Sequence, residues 1–294
     1  MEPVSAVETP AAASVAPSPR AHPQPWVGAL TLLHPGPSLL VTACLVAAFG
    51  AARQALPSLP VALRLVALML PIQFAIGALN DVCDEQLDRH AGKAKPLVLG
   101  VVSPAAALAV ALGGFGLGIG MGATFPAPTL ALAAVAAAAG AGYDLGLKRG
   151  ALSWAPWWIG FTSLPLLGWA AAGMPLARLV AAVPPLTLLL AVGLQLANAL
   201  PDIAADRRQG SAGLGVRLGA RWSRRLSLGL CSAAVVASVA AAPLLGQPLW
   251  LVSAGGAPLL AAACLLALRP RLRPFPLLAG GAGVLAAVWL AALG

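Results

Sequence analysis

Carboxylates are scarce in this chain: only nine Asp and Glu occur in 294 residues, and none follows Asp206. Charged residues of both signs make up 9% of the sequence. An average soluble domain carries about 25%, which would be roughly 74 charges at this length. So few charges cannot cover a water-soluble fold, which excludes a cytosolic globular enzyme. The four cysteines, Cys44, Cys83, Cys231 and Cys264, are far apart and form no CxxC pair. That spacing supports neither a disulfide framework nor a zinc site, and Cys44, Cys231 and Cys264 read as small buried hydrophobes. No basic start followed by an apolar core is present, so the N-terminus does not read as a signal peptide.

What the chain has in abundance is apolar. Hydrophobic residues reach 60% and mean hydropathy is +0.88. Disorder is excluded outside short segments, and a polytopic all-α membrane protein remains. Residues 1–25, rich in Pro, Ala, Ser and Glu, read as a disordered tail. Residues 26–294 read as one transmembrane domain. Apolar stretches near the length of a bilayer-crossing helix fall at 28–51, 60–82, 101–123, 127–145, 152–172, 178–200, 226–245, 247–268 and 274–293. About nine helices are therefore expected.

The formal net charge of +9 invites a nucleic-acid reading, but the positions of the charges oppose it. With the N-terminus inside, 15 of the 18 basic residues fall in inside segments, leaving Arg53, Arg64 and Arg178 outside. This is the positive-inside pattern; it predicts a cytoplasmic N-terminus, an outside C-terminus and no nucleic-acid partner. The glycine run from Gly113 to Gly122 contains Gly114xxxGly118 and Gly116xxxGly120. Lying in an apolar span, it predicts close helix packing and not a dinucleotide loop. Trp154, Trp157 and Trp158, at the start of the fifth span, read as an interfacial belt.

Apart from Glu2 and Glu8 in the tail, the acids are Asp81, Asp84, Glu85, Asp88, Asp144, Asp202 and Asp206. All seven sit at or just beyond the inside ends of the second, fourth and sixth spans. Asn80, Asp84 and Asp88 recur at i, i+4 and i+8, as do Asn198, Asp202 and Asp206. Such triplets share one helical face. Each is followed by a basic, Gly-containing loop, Arg89–Lys95 and Arg207–Gly210. Facing carboxylate clusters repel unless cations lie between them, and a donor set of hard oxygens favours Mg²⁺ over zinc or copper. Mg²⁺ usually binds one or two carboxylates together with substrate phosphates. The neighbouring Lys and Arg would then supply the rest of a diphosphate site.

The sequence resembles the UbiA-type intramembrane prenyltransferase family. Asn80 to Asp88 matches that family's NDxxDxxxD, and Lys95 to Gly100 is similar to its RPLxxG segment. Tyr143 to Arg149, with the chain's one tyrosine, is similar to its Y-x-x-x-[LM]-K-R segment. Asn198 to Asp206, followed by Gly210 and Val216–Gly219, is similar to the second motif of the menaquinone-type and related branches. Lys95 stands where Arg is usual, Pro201 where the menaquinone-type branch has Arg, and Leu33-His34-Pro35 where many members have Arg-Pro. The acceptor is thereby left open.

The resemblance implies helices around a central cavity open to the cytoplasmic side. It implies Mg²⁺-dependent transfer of a prenyl group from an allylic diphosphate to an aromatic or other lipophilic acceptor in the bilayer. The expected Mg²⁺ ligands are Asn80, Asp84, Asp202 and Asp206, then Asp88 and Asn198, with Asp84 and Asp202 central to catalysis. Asp81, about 100° off the shared face, is expected to contact the diphosphate site or pair with a basic loop residue. Lys95, Lys148, Arg149 and Arg208 are the expected diphosphate contacts. Tyr143 would stabilise an allylic cation through its π face or sit at the interface. Asp144 would act as a base or pair with Lys148. Gln73, Thr162, Ser163 and Gln195 are expected to make helix–helix hydrogen bonds, and His34 to mark a helix break. A membrane-embedded terpene cyclase would use the same diphosphate motifs. A transporter would place its acids near mid-membrane, whereas here they lie at helix ends on one side.

Overall fold

The computed structural model describes residues 30–243 and 248–293. The 1–25 tail and the 244–247 part of the turn between the seventh and eighth predicted spans lie outside the described residues. Those described form an all-helical bundle without strands. We number its helices α1 (Pro35–Arg53), α2 (Leu59–His90), α3 (Pro104–Gly122), α4 (Pro128–Leu145), α5 (Ala155–Ala171), α6 (Ala177–Ala199), α7 (Ile203–Arg208), α8 (Leu214–Ala241), α9 (Leu249–Leu268) and α10 (Pro274–Leu293). Eight of these are long and apolar enough to cross a membrane; α5, with 17 residues, is the shortest of the nine long helices, and α7 is a single short segment.

Each long helix packs on its sequence neighbours, and α10 returns to α1, so the bundle closes into a ring. Two apolar cores divide it. One gathers side chains of α1, α2, α4 and α5, including Leu45, Leu68, Ile72 and Leu167. The other gathers α6, α8, α9 and α10, including Leu194, Cys231, Leu259 and Leu285. Each half carries one acidic motif, on α2 and at the end of α6.

The glycine run sorts into two faces. A Cβ at Gly114 would lie 2.5 Å from the carbonyl oxygen of Pro71, and one at Gly118 2.6 Å from that of Leu68. These two glycines let α3 lie directly on α2. Gly116 and Gly120 meet nothing within 4 Å, so the expectation that both GxxxG pairs serve packing is corrected: 100° per residue turns the second pair away from α2.

Two helices extend well beyond their expected bounds. α2 runs to His90, eight residues past the predicted end, because polar residues in its last turns still satisfy one another at helical spacing; Arg89 donates to Glu85 at 2.7 Å. Its 32 residues span about 48 Å, more than the roughly 30 Å hydrocarbon core. The helix closes at Gly92, whose φ of +65° suits glycine. α8 begins at Leu214 rather than 226 and contains a break at Gly219 (φ +76°). The carbonyls freed there find partners: Ser223 Oγ donates to Gly215 O at 3.2 Å, and Arg207 Nη2 to Val216 O at 2.9 Å.

Candidate active site

The acidic residues converge at one end of the bundle. At the head of α1, His34 adopts left-handed backbone (φ 44°), marking the helix break expected there. Gly77 leaves room for it: a Cβ at Gly77 would approach His34 Cδ2 at 2.7 Å. His34 Nε2 then sits 3.3 Å from Asp81 Oδ1, on the next turn of α2.

Asp81 and Asp88 are both only 2% exposed. Lys95 lies 2.8 Å from Asp81 Oδ1 and 2.7 Å from Asp88 Oδ2, bridging the two carboxylates, and Lys93 adds a contact to Asp88 at 3.0 Å. Burial alone would lower the pKa of the Lys95 ammonium, but its hydrogen bonds to Asp81 and Asp88 hold it above the ordinary value. The loop carrying Lys95 is fixed by buried Leu97, which packs with Leu32, Ala78 and Leu79. Lys95 and Asp88 were expected at a diphosphate and a metal ion; here they are engaged with each other.

Asn80 and Asp84 form a second group. Lys148 Nζ donates to Asn80 Oδ1 at 2.9 Å and Asp84 Oδ2 at 2.7 Å, and lies 3.5 Å from Asp144 Oδ1. Arg149 Nη2 is 3.5 Å from Asp84 Oδ1. Both cations come from the short turn Leu147–Arg149 that follows α4, so the Tyr143–Arg149 segment delivers its basic pair to the first motif. Asp144 is buried, and its Oδ2 has no hydrogen-bond partner among the described residues.

The second motif is not on one continuous helix, which corrects the single-face expectation for Asn198, Asp202 and Asp206. Pro201 lacks the N–H that would continue the ladder. α6 therefore ends at Ala199, and Asp202 becomes the N-cap of α7 without a side-chain cap bond. Asp202 and Asn198 are exposed and Asp206 is half-buried. Burial raises the Asp206 carboxyl above the usual range, and the charges of Asp202 and Asp84 push the same way against Lys93 and Lys148. The two motifs thus lie within one another's field. The chain after α7 is tied to the segment carrying Lys148: Ala212 N donates to Arg149 O at 2.8 Å and Leu214 N to Ser153 Oγ at 3.0 Å. Arg208 is exposed and makes no ion pair with either motif among the described residues.

Of the interior polar groups, Gln195 bonds Ser153 at 3.4 Å and Thr162 bonds Thr187 at 2.6 Å, both between elements. Gln73 instead contacts Met69 within its own helix at 3.5 Å. Trp157 corrects the belt assignment. It is the hub of an aromatic cluster, with Tyr143 at 6.3 Å, Phe161 at 6.1 Å and Phe275 at 6.1 Å between ring centroids. The i, i+4 relation of Trp157 to Phe161 was the available signal for an inward face. Trp158 Nε1 donates to Pro184 O at 2.9 Å.

The donors near the site are hard oxygens, of the kind Mg²⁺ prefers. Among the described residues no three His, Cys, Asp or Glu side chains already form a metal cage. The crowded charge around Asp206 and the unpartnered Asp144 Oδ2 mark a centre with unused capacity for cations. The residues present therefore fit a Mg²⁺–diphosphate pair.

This is a multi-pass helical membrane protein with an acid–base site at one end of its bundle. The chain belongs to the UbiA prenyltransferase family, whose model matches residues 39–274. A UbiA homolog from Archaeoglobus fulgidus bound to DMAPP and Mg²⁺ is similar in fold, with a TM-score of 0.69, 19% identity and coverage of 89% of this chain and 96% of that one. The apo UbiA homolog from Aeropyrum pernix K1 gives 0.68 and 22%, covering 84% and 96%. A digeranylgeranylglyceryl phosphate synthase structure gives 0.69 and 18%, covering 92% and 98%. No curated protein matches the sequence.

Proposed function

We propose that the protein is a Mg²⁺-dependent prenyltransferase, moving a prenyl group from an allylic diphosphate to an aromatic or other lipophilic acceptor within the membrane. The observation that carries this reading is Lys148, which contacts both Asn80 and Asp84 of the first motif while the second motif stands within charge reach. Asn80, Asp84, Asp202 and Asp206 would hold the metal, with Asn198 beside them. When bound, Mg²⁺ would neutralise the diphosphate and the charge developing on the leaving pyrophosphate. Lys148 and Arg149 supply fixed positive charge to the same oxygens. Lys95, Asp81 and Asp88 hold the loop and the end of α2 in place. Tyr143, packed edge-on against Trp157, presents an aromatic surface beside the carboxylates for a developing allylic cation. Homologs of the same fold bind DMAPP or GPP with Mg²⁺, which supports the substrate class. The distribution of Arg and Lys supports a cytoplasmic N-terminus, an outside C-terminus and a site facing the cytoplasm.

A terpene cyclase is the second reading. Gln195 and Thr162 are engaged between elements, so few interior polar groups remain to orient a polar acceptor. The test incubates purified protein and Mg²⁺ with prenyl diphosphates of several lengths and follows pyrophosphate release with and without candidate acceptors. Release that requires an acceptor and yields a prenylated product supports transfer. Acceptor-independent release with a cyclic hydrocarbon product identifies the cyclase. Equal behaviour of wild type, Asp84→Ala and Asp202→Ala refutes both.

A further inference from the structure

At the end of the bundle that carries the site, a second charged surface lies on α8, without an ion pair to the carboxylates among the described residues. Nine arginines follow the last acidic residue of the chain, and seven of them, at positions 217, 221, 224, 225, 269, 271 and 273, lie on α8 and in the turn after α9. None has a carboxylate partner among the described residues. Arg224 links the two segments that carry them. Arg224 Nη2 donates to Leu266 O at 2.7 Å and to Arg269 O at 3.4 Å, and its Nη1 to Leu272 O at 3.5 Å. One half-buried guanidinium thus caps the end of α9 and ties the 269–273 turn to α8. Its neighbours Arg221 and Arg225, one helical turn apart, point to the exterior. Between them Trp222 is 56% exposed, with the Arg225 guanidinium 5.4 Å from its ring centroid. Leu226 on α8, and Leu268 and Leu272 beside the turn, are exposed as well.

Topology alone asks for basic residues on this side, not for their collection around an exposed indole. An amphipathic ring flanked by guanidinium groups, at the level where apolar helix gives way to polar loop, matches a lipid headgroup region. The stacked Arg225 keeps its fork of donors free for a phosphate diester. Arg221 and Arg225 are like charges one helical turn apart without a carboxylate partner, so an anion between them is favoured. We infer that Arg221, Trp222 and Arg225, backed by the 269–273 turn, form a binding site for the headgroup of an anionic phospholipid. The site stands independently of the prenyl-transfer reading.

The test uses the full chain in nanodiscs of equimolar phosphatidylcholine and phosphatidylglycerol, followed by extraction into neutral detergent and mass analysis of retained lipid. Wild type is expected to retain phosphatidylglycerol over phosphatidylcholine by about tenfold or more, the scale expected of two basic residues at a membrane surface. R221Q/R225Q should lose that preference, whereas R53Q/R178Q at the opposite end should keep it. W222A, which leaves every charge in place, should weaken retention and checks the assignment should the double variant not fold. Equal retention by wild type and R221Q/R225Q overturns the inference. So does displacement of the lipid by millimolar inorganic pyrophosphate, which would identify a small-anion site.

Discussion

Replacing Lys95 by Met tests how the end of α2 is held. Asp81 and Asp88 are each 2% exposed and share the Lys95 ammonium at 2.8 and 2.7 Å. Breaking a buried ion pair by removing one partner costs about 3–5 kcal/mol, because a charge is left uncompensated. Here Asp88 keeps Lys93 at 3.0 Å and Asp81 keeps His34 at 3.3 Å, and Lys93 is half exposed to screening solvent. The expected loss is therefore below that range, about 2–3 kcal/mol. It would be read as a lowered midpoint in thermal or denaturant unfolding of the detergent-solubilised protein. Lys95→Arg should stay near wild type, since it keeps the charge. Adding Asp81→Asn and Asp88→Asn to Lys95→Met should recover much of the loss by removing the stranded carboxylates. Lys95→Met unfolding at the wild-type midpoint, or the triple variant falling below Lys95→Met, would refute the argument that Lys95 neutralises this pair.

Three further outcomes follow. Gly118→Val drives a side chain into Ile72 and the Leu68 carbonyl and should destabilise by about 1–3 kcal/mol, whereas Gly116→Val faces open space and should change stability by less than about 0.5 kcal/mol in the same assay. Asp206 is a carboxyl whose folded pKa lies above its unfolded value, so its ionised form opposes folding above the folded pKa. Asp206→Asn should therefore raise the melting temperature at neutral pH in metal-free buffer, and the gain should vanish below the usual carboxylate range; a gain that grows on acidification would contradict this. Trp157→Ala removes three ring contacts and should cost about 3 kcal/mol, read by unfolding; Trp154→Ala should cost much less.

The membrane class and the number of long helices were legible because each depends on local composition. Asp81 lay off the shared face by the helical repeat, and it is found on Lys95 and His34. What spacing could not show depended on chain direction and partner choice. Pro201 interrupts the second triplet, so a repeat that looks continuous is broken by one missing N–H. Lys95 was expected at a phosphate; its place between Asp81 and Asp88 depends on the folding of the 91–100 loop, which spacing does not give. Trp157 looked like Trp154 in composition; only the packing of α5 sets its ring among Tyr143, Phe161 and Phe275.

Lys148 is drawn on one side by Asn80 and Asp84 and on another by Asp144, so in the resting site it is the counterion of the first motif. Under the proposed function, loading is then an exchange of counterions. Asp84 would hold the metal in place of the Lys148 ammonium, and Lys148 would supply its charge to the phosphate. Charges trade partners while their sum near the site changes little, so neither half of the ligand pair has reason to settle without the other. Metal and diphosphate should consequently bind with strong mutual dependence, each weak alone.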